Sequence, residues 1–314
     1  MMATMKLSGL PDIVDFLQSA TRPLLVLVGP TASGKTAHSI AIAQMLMRQG
    51  REVEIVNADS RQLYRMLDIG TAKIRSEEMQ GIPHHLLSVK DPKEEVTAPW
   101  YKHEAEQVID DIHARGNMAF LVGGSMLYVS AVVDNLSFVS VPDASLRKQL
   151  RADLDRDGPA ALHARLQELD PEGALSVDSS NAVYLLRALE VCLSTGMSLK
   201  DAKQKKSSPY TIEMLGTECA AAELHRKIDE RTRLMFASGW VEEVAGLLHH
   251  GYTVQDPGMQ SHGYREIAEY LGSHPADVVR RDASLQEAIS TRTRQYAKRQ
   301  RTWWRNDARI HWIP

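Results

Sequence analysis

Eight consecutive residues, Gly29-Pro30-Thr31-Ala32-Ser33-Gly34-Lys35-Thr36, set two glycines, a lysine and three hydroxyls in the order G-x-x-x-x-G-K-[ST]. Glycines let backbone N–H groups wrap an anion, and a helix starting at the loop adds partial positive charge from its N-terminus. Lys35 is a point charge for terminal phosphate oxygens, Thr36 offers a hydroxyl to Mg2+, and Thr31 and Ser33 can reach phosphate through theirs. This chemistry grips a diphosphate group without saying what the diphosphate is attached to. In nucleotide hydrolases such a loop works with an aspartate at the end of an apolar strand. The matching run here, Met118-Ala-Phe-Leu-Val122, leads into Gly123, Gly124 and Ser125 instead. A Gly-Gly pair taken alone reads as an ordinary strand-to-helix turn. The acid at a suitable strand end is Asp59, and its position suits a general base, a Mg2+ ligand or a helix cap.

These residues need elements to position them. The apolar run Pro23–Val28, bounded by Pro and Gly, reads as a strand buried on both faces of a parallel sheet, and Gly34–Arg48 as the helix that follows. Glu52–Asn57 is the next strand, His85–Val89 a short one, 99–115 a helix and Met118–Val122 a fourth strand. Strands alternating with helices predict an α/β fold, a P-loop doubly wound parallel sheet. From 141 to 206 the pattern turns helical, with helices expected over 145–155, 159–168 and 181–194. A strand over 211–216 returns to the sheet; helices at about 222–236, 240–249, 264–271 and 285–304 and a last strand over 309–313 complete the chain. The expected domains are therefore a P-loop α/β catalytic core, 1–140 together with 207–314, and an all-helical insertion domain, 141–206.

Composition narrows the classes. Of the 314 residues 43% are hydrophobic and 25% charged, the mixture of a globular protein. The net charge of −3 advertises no global attraction to nucleic acid, so any RNA contact must come from a local patch. Such a patch exists in Thr291–Asn306, where every charged residue is basic; Arg294, Lys298, Arg301 and Arg305 fall at spacings 4, 3 and 4, one face of a helix. Trp303 and Trp304 in the same run diverge in direction, so at least one is expected in the core. Two cysteines, Cys192 and Cys219, fit a reducing cytosol, no run approaches the length of a membrane span, and the N-terminus lacks the apolar stretch of a signal peptide. The paired histidines His84, His85, His249 and His250 belong to no metal constellation and read as structural or surface groups.

The motifs GPTASGKT, NADSRQLYRMLDIGTAK (57–73), LVGGSMLY (121–128), RALEV (187–191), HGYREI (262–267) and RQYAKRQRTWWR (294–305) together resemble the tRNA dimethylallyltransferases, also called tRNA isopentenyltransferases. They occur in family order over nearly the whole chain. The resemblance implies that Gly29 to Thr36 cradle the diphosphate of dimethylallyl diphosphate, with Mg2+ at Thr36 as the cofactor. It implies transfer of the dimethylallyl group to N6 of the adenosine beside the anticodon, with diphosphate released. It makes Asp59 the general base and Lys35, Thr36 and Arg294 the groups that stabilise the leaving diphosphate. It assigns tRNA contact to Asp59, Ser60, Arg61, Gln62, Ser125, Arg147, Arg187 and Gln260, Ser261, His262, Gly263, Tyr264 and Arg265, and tRNA gripping to the helical insertion. The target base must be turned out of its stack to be reached. The implied partners are the tRNA anticodon stem-loop and the donor, without a membrane, for a cytoplasmic monomer of bacterial type.

Two segments depart from the family pattern. Ala182–Arg187 stands where a Gln-Arg stretch is usual, which leaves Arg187 as the contact there, and Gln260-Ser261-His262 precedes Gly263 where apolar residues are common. Three other readings share parts of this chemistry. They are a transferase acting on free AMP, ADP or ATP, a P-loop small-molecule kinase, and a non-catalytic RNA-binding protein. The insertion and basic stripe favour tRNA, the missing acid after the fourth strand disfavours a kinase, and a mere RNA binder has no use for Asp59 and Lys35 at one crevice.

Overall fold

The computed structural model describes Ile13, Phe16 and residues 19–138, 144–202 and 207–313. The chain divides into two compact units, one formed by residues up to Val132 together with Pro209 onward, the other by Val133–Ser208. The boundaries expected at 140/141 and 206/207 fall at residues outside those described.

The first unit is an α/β layer structure. β1 (Pro23–Val28), β2 (Val53–Asn57), β3 (His84–His85), β4 (Met118–Val122), β5 (Thr211–Thr217) and β6 (Ile310–Ile313) form one sheet in the order β3-β2-β4-β1-β5-β6, every pair parallel. In β1, Leu25 and Leu27 join a core with Ile55, Phe120 and Leu215 and with Ile40, Ile42 and Leu46 of α1 (Lys35–Arg48). The intervening Leu24, Val26 and Val28 are buried as well, which is why the run is continuously apolar. The register pairs Asn57 with Val122, Leu27 with Val122 and Val28 with Gly216. The loops after β1, β2 and β4 therefore leave the sheet at one edge, where α/β folds bind ligands.

α2 (Ala98–Ala114) is capped by Thr97 and leads into β4, and α3 (Met126–Val133) follows β4. After β5 come α8 (Ala221–Ala237), α9 (Trp240–His249), α10 (Tyr264–Leu271), α11 (Ala276–Arg281) and α12 (Ala283–Arg305), which starts at Asp282 with Oδ1 accepting from Ser284 N and Leu285 N. Phe236, Trp240, Val241, Tyr264, Ile267 and Ile289 make a second core around Tyr64 and Leu67. Trp304 is buried and Trp303 is half-exposed. One expected strand shrinks: β3 stops at His85 because Leu86 and Ser88 adopt left-handed backbone, φ 58° and 54°. The NH groups of Ser88 and Val89 turn to Gln62 O and Leu63 O, in the loop after β2, instead of extending the sheet.

The second unit holds α4 (Ala144–Leu169), α5 (Pro171–Ala174), α6 (Ala182–Thr195) and α7 (Leu199–Ala202). α4 is broken at Gly158, φ 77°, ahead of Pro159, the point between the two helices expected there. Leu150, Leu162, Leu166, Leu185 and Leu189 fill its core. Asp170, buried, joins two ends of the unit: Oδ1 accepts from Gly173 N at 2.9 Å and Oδ2 from Leu199 N at 2.7 Å.

Candidate active site

The phosphate loop leaves β1 at Gly29, where a Cβ would lie 2.1 Å from Thr217 Oγ1 on β5. Ala32 and Gly34 take left-handed backbone, φ 64° and 92°, and α1 starts at Lys35. Lys35 Nζ donates to Pro30 O at 2.8 Å, and the buried Ser33 donates to the same carbonyl at 2.8 Å. A cavity of about 300 Å³ opens against this loop, with Thr31, Ala32, Gly34, Lys35 and Thr36 in its wall. Asp59 and Gln62 face it from the loop after β2, and Ile55, Ile74, Leu87 and Val122 give it an apolar side.

Asp59 is held by its neighbours. Its backbone N–H donates to Asn57 Oδ1 at 3.0 Å, and Asn57 Nδ2 donates to Asp59 O at 3.1 Å and Leu86 O at 2.9 Å. Oδ1 accepts from Arg61 N at 2.9 Å. Gly123 lies flat on this turn, so close that a Cβ would be 2.2 Å from Ala58 C, and any side chain there would push the β2 loop away. Ser125 N donates to Ala58 O at 3.1 Å, and Ser60 N donates to Ser125 Oγ at 2.8 Å. Two adjacent strand ends thus fix the carboxylate from both sides.

Two further cations line the cavity, Lys227 and Arg231, four residues apart on α8. Arg231 Nη2 donates to Thr31 Oγ1 at 2.7 Å. Burial lowers the pKa of Arg231, with the Asp59 charge acting the other way. Burial also pulls Lys35 down to about 8; Asp59 raises it and Arg231 lowers it. Both effects mark positive charge crowded into a partly desolvated space that an anion would relieve. His84 lines the same cavity, with Nδ1–H donating to Ile82 O at 2.8 Å; burial lowers its pKa, so the ring is neutral at pH 7. Its neighbour His85 instead holds Glu54 Oε2 at 2.6 Å, a structural contact within the sheet.

A second cavity, about 260 Å³, is lined by Ser60, Arg61, Tyr64, Ser125, Tyr128 and Tyr296. Burial and the Asp59 charge push the Tyr296 phenol up to about 12. Ser60 and Arg61 in this wall directly follow Asp59, which faces the first cavity.

The loop, Asp59, Ser60, Arg61, Gln62 and Ser125 therefore come together as expected from the sequence. Arg294 does not: it lies outside both cavity walls and is paired with Asp229, with Glu287 Oε1 at 2.5 Å and with Thr291 Oγ1 at 2.7 Å. The α8 cation bonded to the loop is Arg231, which the motifs do not single out. Its signal was present: Leu224, Ile228 and Met235 are buried on α8, and Arg231 occupies the missing position of their 4, 3, 4 spacing.

Tyr264 also departs from the expected RNA contact. It is fully buried, donates to Glu243 Oε1 at 2.5 Å and accepts from Gly70 N at 3.0 Å, so it anchors the 68–70 loop and offers RNA no surface. Ser261 and Gly263 are buried, the former donating to Gly258 O at 2.6 Å, the latter under the Trp240 ring. Gln260, His262 and Arg265 are exposed; His262 lies 5.5 Å from the Tyr296 ring and Arg265 bonds Glu269 at 2.8 Å. Arg147 and Arg187 lie in the helical unit, sharing Glu190 at 2.7 Å and 3.2 Å.

A parallel α/β sheet with a diphosphate loop, a fixed carboxylate and no acid after β4 defines a phosphate-loop enzyme outside the hydrolase pattern. A family model described as IPP transferase matches residues 62–307. A tRNA dimethylallyltransferase of Symbiobacterium thermophilum is 43% identical over 297 residues, covering 93% of this chain and 89% of the relative. One from Geobacter sulfurreducens is 40% identical, with coverage of 92% and 91%. Among solved structures, the tRNA isopentenylpyrophosphate transferase of Bacillus halodurans superposes with a TM-score of 0.67 at 35% identity, covering 93% of this chain and 90% of that one. A eukaryotic dimethylallyltransferase described as acting on tRNA gives 0.75 at 26% identity, over 90% and 70%. The chain belongs to the IPP transferase family.

Proposed function

We propose that the protein transfers a dimethylallyl group from dimethylallyl diphosphate to N6 of the adenosine adjacent to the anticodon of tRNA, releasing diphosphate. The observation that carries this reading is one cavity in which a phosphate loop and two half-buried cations, Lys35 and Arg231, stand with Asp59 and an apolar wall. The diphosphate lies on the loop, and the five-carbon tail lies against Ile55, Ile74, Leu87 and Val122. The adenine enters by way of Ser60, Arg61, Ser125 and Tyr296, turned out of its stack. Its amine attacks the allylic carbon, the bond from that carbon to the diphosphate oxygen breaks with its electron pair leaving on oxygen, and the amine proton passes to Asp59. Oδ1 of Asp59 already accepts from Arg61 N, so Oδ2 is the oxygen placed to take it. Lys35 and Arg231 meet the negative charge that grows on the leaving group.

Mg2+ fits this site. Thr36 is exposed at the cavity and offers one hydroxyl, and among the described residues no cluster of three or more His, Cys, Asp or Glu could form a protein cage. A cation that keeps waters and takes most of its ligands from substrate phosphates suits such a sparse set. When bound, it supplies charge neutralisation to the leaving diphosphate. The helical unit, through Arg147 and Arg187, and the outward face of α12, through Lys298, Arg301 and Arg305, serve RNA phosphates. Among the described residues no helix is long and apolar enough to cross a membrane.

The test is single-turnover transfer of labelled dimethylallyl diphosphate to unmodified tRNA, with AMP as the competing acceptor. Label is expected in tRNA, and Asp59→Asn is expected to slow the chemical step by about 10³-fold, with tRNA affinity changing little. Label entering AMP in preference to tRNA, or near-normal transfer by Asp59→Asn, overturns the reading.

A further inference from the structure

We propose that Gln300 is a positioning residue for this transfer: its amide fixes the distance and angle between the diphosphate loop and the strand-end turn that holds Asp59. The proposal rests on the donor lying on the loop, as above. Leu285, Ile289, Ala297 and Trp304 are the buried face of α12, and Gln300 occupies that same face with 2% of its surface exposed. A long polar side chain there must forgo both water and its rotamer freedom, a cost an apolar residue would avoid. Both ends of its amide are used. Oε1 accepts from Thr31 N at 2.8 Å, and Nε2 donates to Gly124 O at 2.7 Å. A Cβ at Gly124 would come within 2.4 Å of Nε2, so the contact is close on that side too. The amide orientation is determined: turned over, its NH2 would face the N–H of Thr31 and its oxygen the carbonyl of Gly124.

What lies at each end gives the contact its meaning. Thr31 is the loop residue whose hydroxyl accepts from Arg231. Gly124 sits between Gly123, packed on Ala58, and Ser125, which bonds Ala58 O and Ser60 N. A single planar group therefore spans from the residue that aims Arg231 to the turn that aims Asp59. It also keeps the Thr31 N–H turned toward Gln300, so Arg231 reaches that end of the loop through the Thr31 side chain. Alkyl transfer needs the leaving oxygen, the allylic carbon and the attacking amine aligned, and errors of about 1 Å in such alignments cost about 10²-fold.

Gln300→Met keeps the length and removes both bonds. Measured per folded active site, kcat is expected to fall about 10- to 100-fold and donor KM to rise, while KM for tRNA stays within about twofold. Gln300→Glu keeps the acceptor for Thr31 and can donate to Gly124 only when protonated, so its activity relative to the parent is expected to recover as the pH falls from about 8 to about 6. This second variant serves if the first does not fold. Lys35→Ala is measured alongside. If Lys35→Ala retains donor turnover, the reading of the loop fails. If Lys35→Ala is inactive while both Gln300 variants keep kcat and donor KM within about twofold, or the Gln300→Glu deficit is the same at every pH, the role of Gln300 is overturned.

Discussion

α8 and α12 pack against each other, and each carries cations at helical spacing, yet they use them differently. On α8, Lys227 and Arg231 line the cavity, and Arg231 sits in the register of Leu224, Ile228 and Met235. On α12, Arg292 is tied to Glu266 and Arg294 to Asp229 and Glu287, while Lys298, Arg301 and Arg305 are exposed. The residue that α12 sends toward the loop is neutral: Gln300 meets the same Thr31 that Arg231 meets, one at the backbone and the other at the hydroxyl. A conspicuous basic run thus does not mark which cations line the cavity. A polar side chain at a core position is the better guide, because burial is tolerated there only when a partner or a ligand offsets the lost hydration.

The largest effect expected from this contrast is at Arg231. Arg231→Ala should lower kcat/KM for the donor by about 10²- to 10³-fold, the usual loss when one stabilising donor is removed from a developing charge, read by steady-state transfer at saturating tRNA. The next is the pH response of Lys35. Its pKa is lowered to about 8, so the cation is present below that pH and lost as pH rises through it. Accordingly kcat/KM for the donor should fall above pH 8 by up to about tenfold per pH unit, and Lys35→Arg should flatten the profile. The smallest belongs to the outward face of α12. Replacing Lys298, Arg301 and Arg305 together by alanine should weaken tRNA binding a few-fold and reduce the salt dependence of log K by about two, with donor KM unmoved. A change in donor KM in that triple variant would break the division between the two helices.

Local signals explain what could be read in advance. The glycines of Gly29–Thr36, the apolar runs of β1, β2 and β4 and the acid after β2 are short-range patterns. The parallel sheet then brings their strand ends together. Arg231 does not stand out in the sequence because α8 also carries Arg226, Lys227 and Arg233, and the face that turns inward is set by packing against α12, far away in sequence. Arg294 belongs to the C-terminal motif, but Asp229 and Glu287, which occupy it, are 65 and 7 residues distant. Tyr264 belongs to a motif too, and only the folded chain shows that its hydroxyl is spent on Glu243 and the 68–70 loop. β3 ends before the expected Val89 because Leu86 and Ser88 take left-handed backbone and the NH groups of Ser88 and Val89 turn to the β2 loop.

On the proposed reading α8, through Arg231, grips the leaving diphosphate and Arg294 on α12 does not. Calorimetric binding of inorganic diphosphate with Mg2+ to Arg231→Ala and to Arg294→Ala tests it directly. Affinity is expected to fall by about 30-fold in the first, corresponding to about 2 kcal/mol for a charged hydrogen bond, and to stay within about twofold of the parent in the second. A loss in Arg294→Ala as large as that in Arg231→Ala, or an Arg231→Ala protein that binds diphosphate normally, would contradict it.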